Sequence, residues 1–171
     1  MRSLILMIVC LVPALPGCSQ REPTAQAAAP RLVVHKSPTC GCCVKWEVGI
    51  RSKGFQVESV ITDDLSQLKA KNRVPAELAS CHTAFVEGYV IEGHVPAHAI
   101  QRLLSERPAA RGLVVPGMPA GSPGMAEPGQ EGGYDVLLLR EDGTTELFER
   151  VPAASGRSAA RSVPASGTRA D

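Results

Sequence analysis

Aromatic side chains are scarce: one Trp, two Tyr and three Phe make up 4% of the 171 residues. Few large rings and abundant Gly and Pro (16 and 14) point to a packed core of modest size. Neither sign of charge is in surplus. The 18 basic and 17 acidic residues leave a formal charge of +1, which excludes the basic footprint of nucleic-acid binding. No apolar run reaches the roughly 20 residues of a membrane-spanning helix. The sequence also has no Ser/His/Asp arrangement, P-loop or Gly-rich dinucleotide fingerprint. These gaps direct attention to the cysteines.

The ends carry little fold information. Arg2 followed by the apolar stretch Leu4 to Val12 reads as a signal segment. It leads into Leu15-Pro16-Gly17-Cys18-Ser19, similar to a bacterial lipobox in which Cys18 is lipidated, with ordinary signal cleavage as the alternative. Residues 1–18 are therefore set aside, and 19–30 form a polar, Ala/Pro-rich tether. Residues 151–171 are Ala, Ser, Gly, Pro and Arg and read as a disordered tail. Export to the periplasm, with membrane attachment only through a lipid anchor, follows from this start. In such an oxidising compartment thiols are expected as disulfides or as metal ligands.

Residues 31–150 form the domain. Arg31 to Lys36 is a short strand, Gly41 to Lys53 a helix with Val44, Val48 and Ile50 on its inner side, and Phe55 to Ile61 a second strand. Asp63 or Asp64 caps a helix from Leu65 to about Asn72. Thr83 to Val86 and Tyr89 to Glu92 flank Glu87-Gly88 as a hairpin, and Ala97 to Glu106 is a helix entered at Pro96. The order β-α-β-α-β-β-α is the thioredoxin-like α/β arrangement. Residues 112–133 read as a long Gly/Pro-rich loop. Residues 134–149 then form an appended two-stranded hairpin around Asp142-Gly143.

The chemistry concentrates in Cys40-Gly41-Cys42-Cys43 at the first strand–helix junction. A helix start favours thiolate, the form that binds metal. A dithiol switch needs only Cys40 and Cys43, so the third sulfur argues for a thiophilic metal, and Cu(I) suits it. On a helix the three sulfurs are expected to fan out and bridge several ions. Cys81, just before the third strand, stands where thioredoxin-like folds usually place a cis-proline, and brings a fourth sulfur to the first three. Two structural disulfides or a structural zinc site remain alternatives. Met118 and Met125 are either core gap-fillers or thioethers of a lid that contacts copper. His82 is the best imidazole candidate. His94 reads equally as capping or packing, His35 and His98 as structural or solvated. Trp46 and Glu92 need no functional reading.

Four motifs together resemble one family. They are Val34-His35-Lys36-Ser37-Pro38-Thr39-Cys40-Gly41-Cys42-Cys43, Val74 to Thr83, Gly88 to Pro96, and Val115-Pro116-Gly117-Met118-Pro119. The resemblance is to the CopG-type copper-resistance proteins, the periplasmic thioredoxin-like family, and it covers about residues 31–150. It implies a multinuclear, cysteine-bridged copper cluster on Cys40, Cys42, Cys43 and Cys81. It also implies interconversion of Cu(I) and Cu(II) by a copper oxidoreductase working beside periplasmic efflux components. A thiol–disulfide oxidoreductase and a passive copper chaperone are the rival readings.

Overall fold

The computed structural model describes residues 28–125 and 132–153. The expected signal segment with Cys18, most of the tether, residues 126–131 of the long loop, and the tail from 154 lie outside the described residues.

The fold is mixed α/β. In chain order the elements are β1 (Arg31–Lys36), α1 (Gly41–Arg51), β2 (Gln56–Ile61), α2 (Leu65–Lys71), a 3-10 turn (Ala76–Leu78), β3 (His82–Val86), β4 (Tyr89–Glu92), α3 (Ala97–Glu106), β5 (Gly112–Val114), β6 (Tyr134–Leu139) and β7 (Thr145–Val151). All seven strands join one sheet in the order β2-β1-β3-β4-β5-β6-β7. β1 runs parallel to β2 and β4 parallel to β5; the other neighbours are antiparallel. None of the described helices is long and apolar enough to cross a membrane.

Strand alternation decides which side chains meet. Leu32 and Val34 pair with Val86 and Ala84, which in turn pair with Tyr89 and Ile91. These residues share one sheet face and bury against Trp46 and Ile50 of α1 and Ala99, Ile100 and Leu103 of α3. Lys36 and His82, paired at the end of the same stripe, continue that face toward the cysteines. The opposite face carries Thr83 and Glu92, also a pair. Lys69 of α2 reaches both, donating to Thr83 Oγ1 at 2.9 Å and Glu92 Oε1 at 2.6 Å.

Three expectations need correction. Val44 and Val48 do not face inward; they are 48% and 59% exposed. At 100° per residue the inner stripe of α1 is Cys43, Trp46, Glu47 and Ile50, the i, i+3, i+4, i+7 set. Residues 112–114, read as the start of a loop, form β5, whose Gly112-Leu113-Val114 is fully buried. β5 bridges β4 to β6, so residues 134–151 extend the main sheet and are not an appendage. A strand of three residues is too short to read from periodicity alone.

Candidate metal centre

Ser37-Pro38-Thr39 leaves β1 and delivers Cys40 as the N-cap of α1, with φ −77° and ψ 87°. Because Cys40 precedes the helix, its sulfur is not bound to the helical spacing and turns back over the first turn. The sulfurs therefore converge where fanning out was expected. Cys40 Sγ lies 3.5 Å from Cys42 Sγ, and Cys81 Sγ lies 4.0 Å from Cys42 Sγ and 3.6 Å from Cys43 Sγ. All four sulfurs fall within 4.8 Å of one another.

Cys40 and Cys43 form a disulfide with a Cα–Cα separation of 5.4 Å, whereas Cys42 and Cys81 are free. The alternative of two structural disulfides is thereby corrected: among the described residues one pair is closed and two half-buried thiols stay open. Burial, and Cys42 beside it, push the Cys81 thiol up to about 12, so it is protonated in the metal-free protein.

Two imidazoles reach the same sulfur. His82, the first residue of β3, is fully buried against the Trp46 ring at a centroid distance of 4.3 Å. Its Nδ1 is 3.4 Å from Cys81 Sγ, and its Nε2 is buried with no hydrogen-bond partner. His94 lies closer: its Nε2 is 2.9 Å from Cys81 Sγ, and its Nδ1 is 2.6 Å from the Pro123 carbonyl. Burial lowers both imidazoles, His82 well below the usual range with His94, Lys69 and Lys36 adding to the effect. Both are therefore neutral, as metal ligands must be. Cys81, His82 and His94 form a second group of donor atoms within 4.8 Å.

The support around Cys81 is polar and buried. The Ser80 N–H donates to Glu92 Oε1 at 2.6 Å, and the Thr83 hydroxyl donates to Glu92 Oε2 at 2.7 Å. Glu92 thus grips the chain on both sides of Cys81-His82. Trp46 Nε1–H donates to the Val95 carbonyl at 2.8 Å, joining α1 to the His94 turn. In the sequence, Trp46 and Glu92 have no functional reading, and His94 stays open between ligand, cap and packing residue. Gly93-His94 falls in a connection without periodicity, and only tertiary pairing shows what it faces.

The segment around the two methionines crosses this site. Gly117 bridges to Ser80, and Ser80 Oγ donates to the Gly117 carbonyl. Further on, Gly124 has φ +88°, and a Cβ there would stand 2.8 Å from the Cys42 carbonyl and 2.9 Å from Trp46 N. Met118 is 54% exposed and Met125 half-buried. His35 is clear of the cluster, bonded to Thr62 Oγ1 at 2.9 Å, and His98 is bonded to Glu149 at 2.7 Å on the surface. A sulfur-rich donor set with adjoining neutral imidazoles suits a thiophilic first-row metal such as copper better than a hard cation.

Comparison with known proteins bears on this geometry. Residues 78–125 match a family described as a protein of unknown function, DUF411. That span holds Cys81, His82, His94 and both methionines. Two solved structures, both described as copper resistance protein CopG, resemble the chain. Form 2 is 37% identical with a TM-score of 0.70, covering 72% of this chain and 99% of its own. Form 1 is 38% identical with a TM-score of 0.68, covering 71% and 97%. No curated protein matches.

Proposed function

This chain belongs to the CopG family of copper-resistance proteins, and from that premise we propose that it binds copper on Cys40, Cys42, Cys43 and Cys81 and interconverts Cu(I) and Cu(II). The observation that carries the reading is the convergence of Cys81 on the Cys40–Cys43 turn, four sulfurs within 4.8 Å. With the disulfide reduced, four cysteine sulfurs crowd one point and lose their protons as copper binds. Bridging sulfur between several copper ions then spreads the charge that four separate thiolates would concentrate. Met118, Met125 and one of the two adjoining imidazoles, His82 or His94, complete the proposed donor set.

The disulfide supplies redox chemistry that balances within the site. Reduced Cys40 and Cys43 give two electrons to two Cu(II), forming the S–S bond, two Cu(I) and two protons. Cys42 and Cys81 stay outside the disulfide and, releasing their protons to solvent as they bind, hold the Cu(I) as thiolates, their sulfurs 4.0 Å apart. That spacing is a little under twice a metal–thiolate bond of about 2.3 Å. We infer a thioredoxin-like arrangement, because the reactive turn follows β1, which pairs parallel with β2, and precedes α1. Residence in the periplasm, lipidation at Cys18 and transfer to efflux components complete the proposal.

A second reading is favoured by one observation, the closed Cys40–Cys43 pair: a thiol–disulfide oxidoreductase acting on other proteins. The test is Cu(II) added to fully reduced protein, with Cu(I) followed by a chromogenic chelator. Our reading expects Cu(I) to appear with loss of two thiols, and the Cys42→Ser variant to release the Cu(I) it makes. Reduction of a protein disulfide at full rate by Cys42→Ser, without copper retention by the wild type, would establish the second reading instead.

A further inference from the structure

The segment from Pro116 to Met125 is held at both ends against the cysteine site. At one end the Gly117 N–H donates to the Ala79 carbonyl at 3.3 Å, and Ser80 bridges to Gly117 immediately before Cys81. At the other end Gly124 lies on the backbone of Cys42 and Trp46, too close for any side chain. Between the anchors the path is stiff. The Ser122 N–H and hydroxyl both reach the Pro119 carbonyl, and the Met125 N–H reaches the Ser122 carbonyl. Ser122 is fully buried.

This strap places one particular acceptor. The Pro123 carbonyl is 2.6 Å from His94 Nδ1. A carbonyl oxygen can only accept, so Nδ1 must carry the proton. In a neutral ring the other nitrogen, Nε2, then presents a lone pair, and it faces Cys81 Sγ at 2.9 Å. A backbone carbonyl on one ring nitrogen with the other turned to a metal is the usual way in which a ligating histidine is oriented.

We propose that the strap is a positioning element: its Pro123 carbonyl fixes His94 with the proton on Nδ1, so that Nε2 supplies one nitrogen donor beside Cys81 to copper held by the cysteines. The inference rests on the copper reading above and adds to it the ligand type and the device that sets it. His94 replaces His82 as the better-placed imidazole, because a hydrogen-bond partner fixes its proton, whereas the far nitrogen of His82 has none. Gly124 matters because only a residue without Cβ, at φ +88°, lets the strap sit low enough for Pro123 to reach His94. Imidazole added to thiolates also gives the site a donor suited to Cu(II) as well as to Cu(I).

The test uses the full chain labelled with ¹⁵N and compares wild type with Gly124→Ala, a change that removes no donor atom. In metal-free wild type, long-range ¹⁵N–¹H spectra should show His94 as a single Nδ1–H tautomer. After titration with Cu(I) alone, copper X-ray absorption should show one nitrogen among the sulfurs. Gly124→Ala should scramble the tautomer, lose that nitrogen, keep the sulfur count and bind copper about tenfold more weakly or worse. His94→Gln should lose the nitrogen likewise. An Nε2–H tautomer in wild type, or an unchanged tautomer in folded Gly124→Ala, overturns the positioning role. Sulfur-only copper with the tautomer intact overturns the donor role and leaves the copper reading standing. No copper uptake at all would defeat that reading, and the donor role with it.

Discussion

Cys42 and Cys81 are the two sulfurs that a simple dithiol switch would not need, and both are free and half-buried in the folded chain. Oxidised protein, unfolded before assay, should therefore show two reactive thiols among Cys40, Cys42, Cys43 and Cys81, rising to four after reduction. Four in the oxidised sample, or none, would contradict the disulfide assignment. The cysteine pattern was legible in the sequence because thiols clustered at a strand–helix junction have few other uses. The role of Glu92 was not, because a lone carboxylate in a strand gives no hint that it holds Lys69, Ser80 and Thr83 together. Burial raises the Glu92 carboxyl against the pull of Lys69. Glu92→Ala should strand the buried Lys69 ammonium and cost about 3–5 kcal/mol, measured as a lower urea midpoint with an unchanged m-value. A cost under about 1 kcal/mol would show that water reaches the pair.

At the scale of elements, α1 does two jobs. Its first turn presents the cysteines, and its inner face seats Trp46 between His82 and the Val95 carbonyl. Trp46→Phe keeps most of the ring but removes the N–H, leaving the Val95 carbonyl unpaired. We expect a loss of about 1–3 kcal/mol in chemical denaturation, against about 3–5 kcal/mol for Trp46→Ala. Equal losses would mean that the hydrogen bond contributes nothing. The starts of α1 and α3 were readable from Gly41 and Pro96, although α1 ends at Arg51 and not at Lys53. The strands β1, β3 and β4 were readable from their β-branched and aromatic runs and the Glu87-Gly88 turn. The inner face of α1 was misread in part: Ile50 does face the core, but the apolar Val44 and Val48 drew the stripe away from Cys43, Trp46 and Glu47. β5 escaped notice because its partners, β4 and β6, lie far away in sequence on both sides. A three-residue strand exists only through such pairing.

Across the whole molecule, two neutral imidazoles are buried beneath the cysteines, and this links stability to pH. Burial holds His82 and His94 below their ordinary value near 6.5. The unfolded chain therefore takes up protons that the folded chain refuses. Their contribution is fully present above about pH 6.5 and is lost as the pH falls toward their depressed folded values. Metal-free protein should lose up to about 1.4 kcal/mol per pH unit for each histidine over that window. Glu92 acts in the opposite sense: its raised carboxyl favours the folded state as the pH falls through the carboxylate range. Urea unfolding between pH 5 and 8 checks this, and the Gln variants of both histidines should flatten the dependence. A wild-type curve flat across that range would mean the imidazoles are charged or solvated.

The central claim concerns the metal and the sulfurs that hold it, and copper X-ray absorption on the reduced, copper-loaded chain tests it most directly. The account predicts a first shell dominated by sulfur, a short copper–copper vector from bridging thiolates, and loss of that vector in Cys81→Ser. A shell of oxygen and nitrogen alone, or a spectrum unchanged by Cys81→Ser, would contradict it.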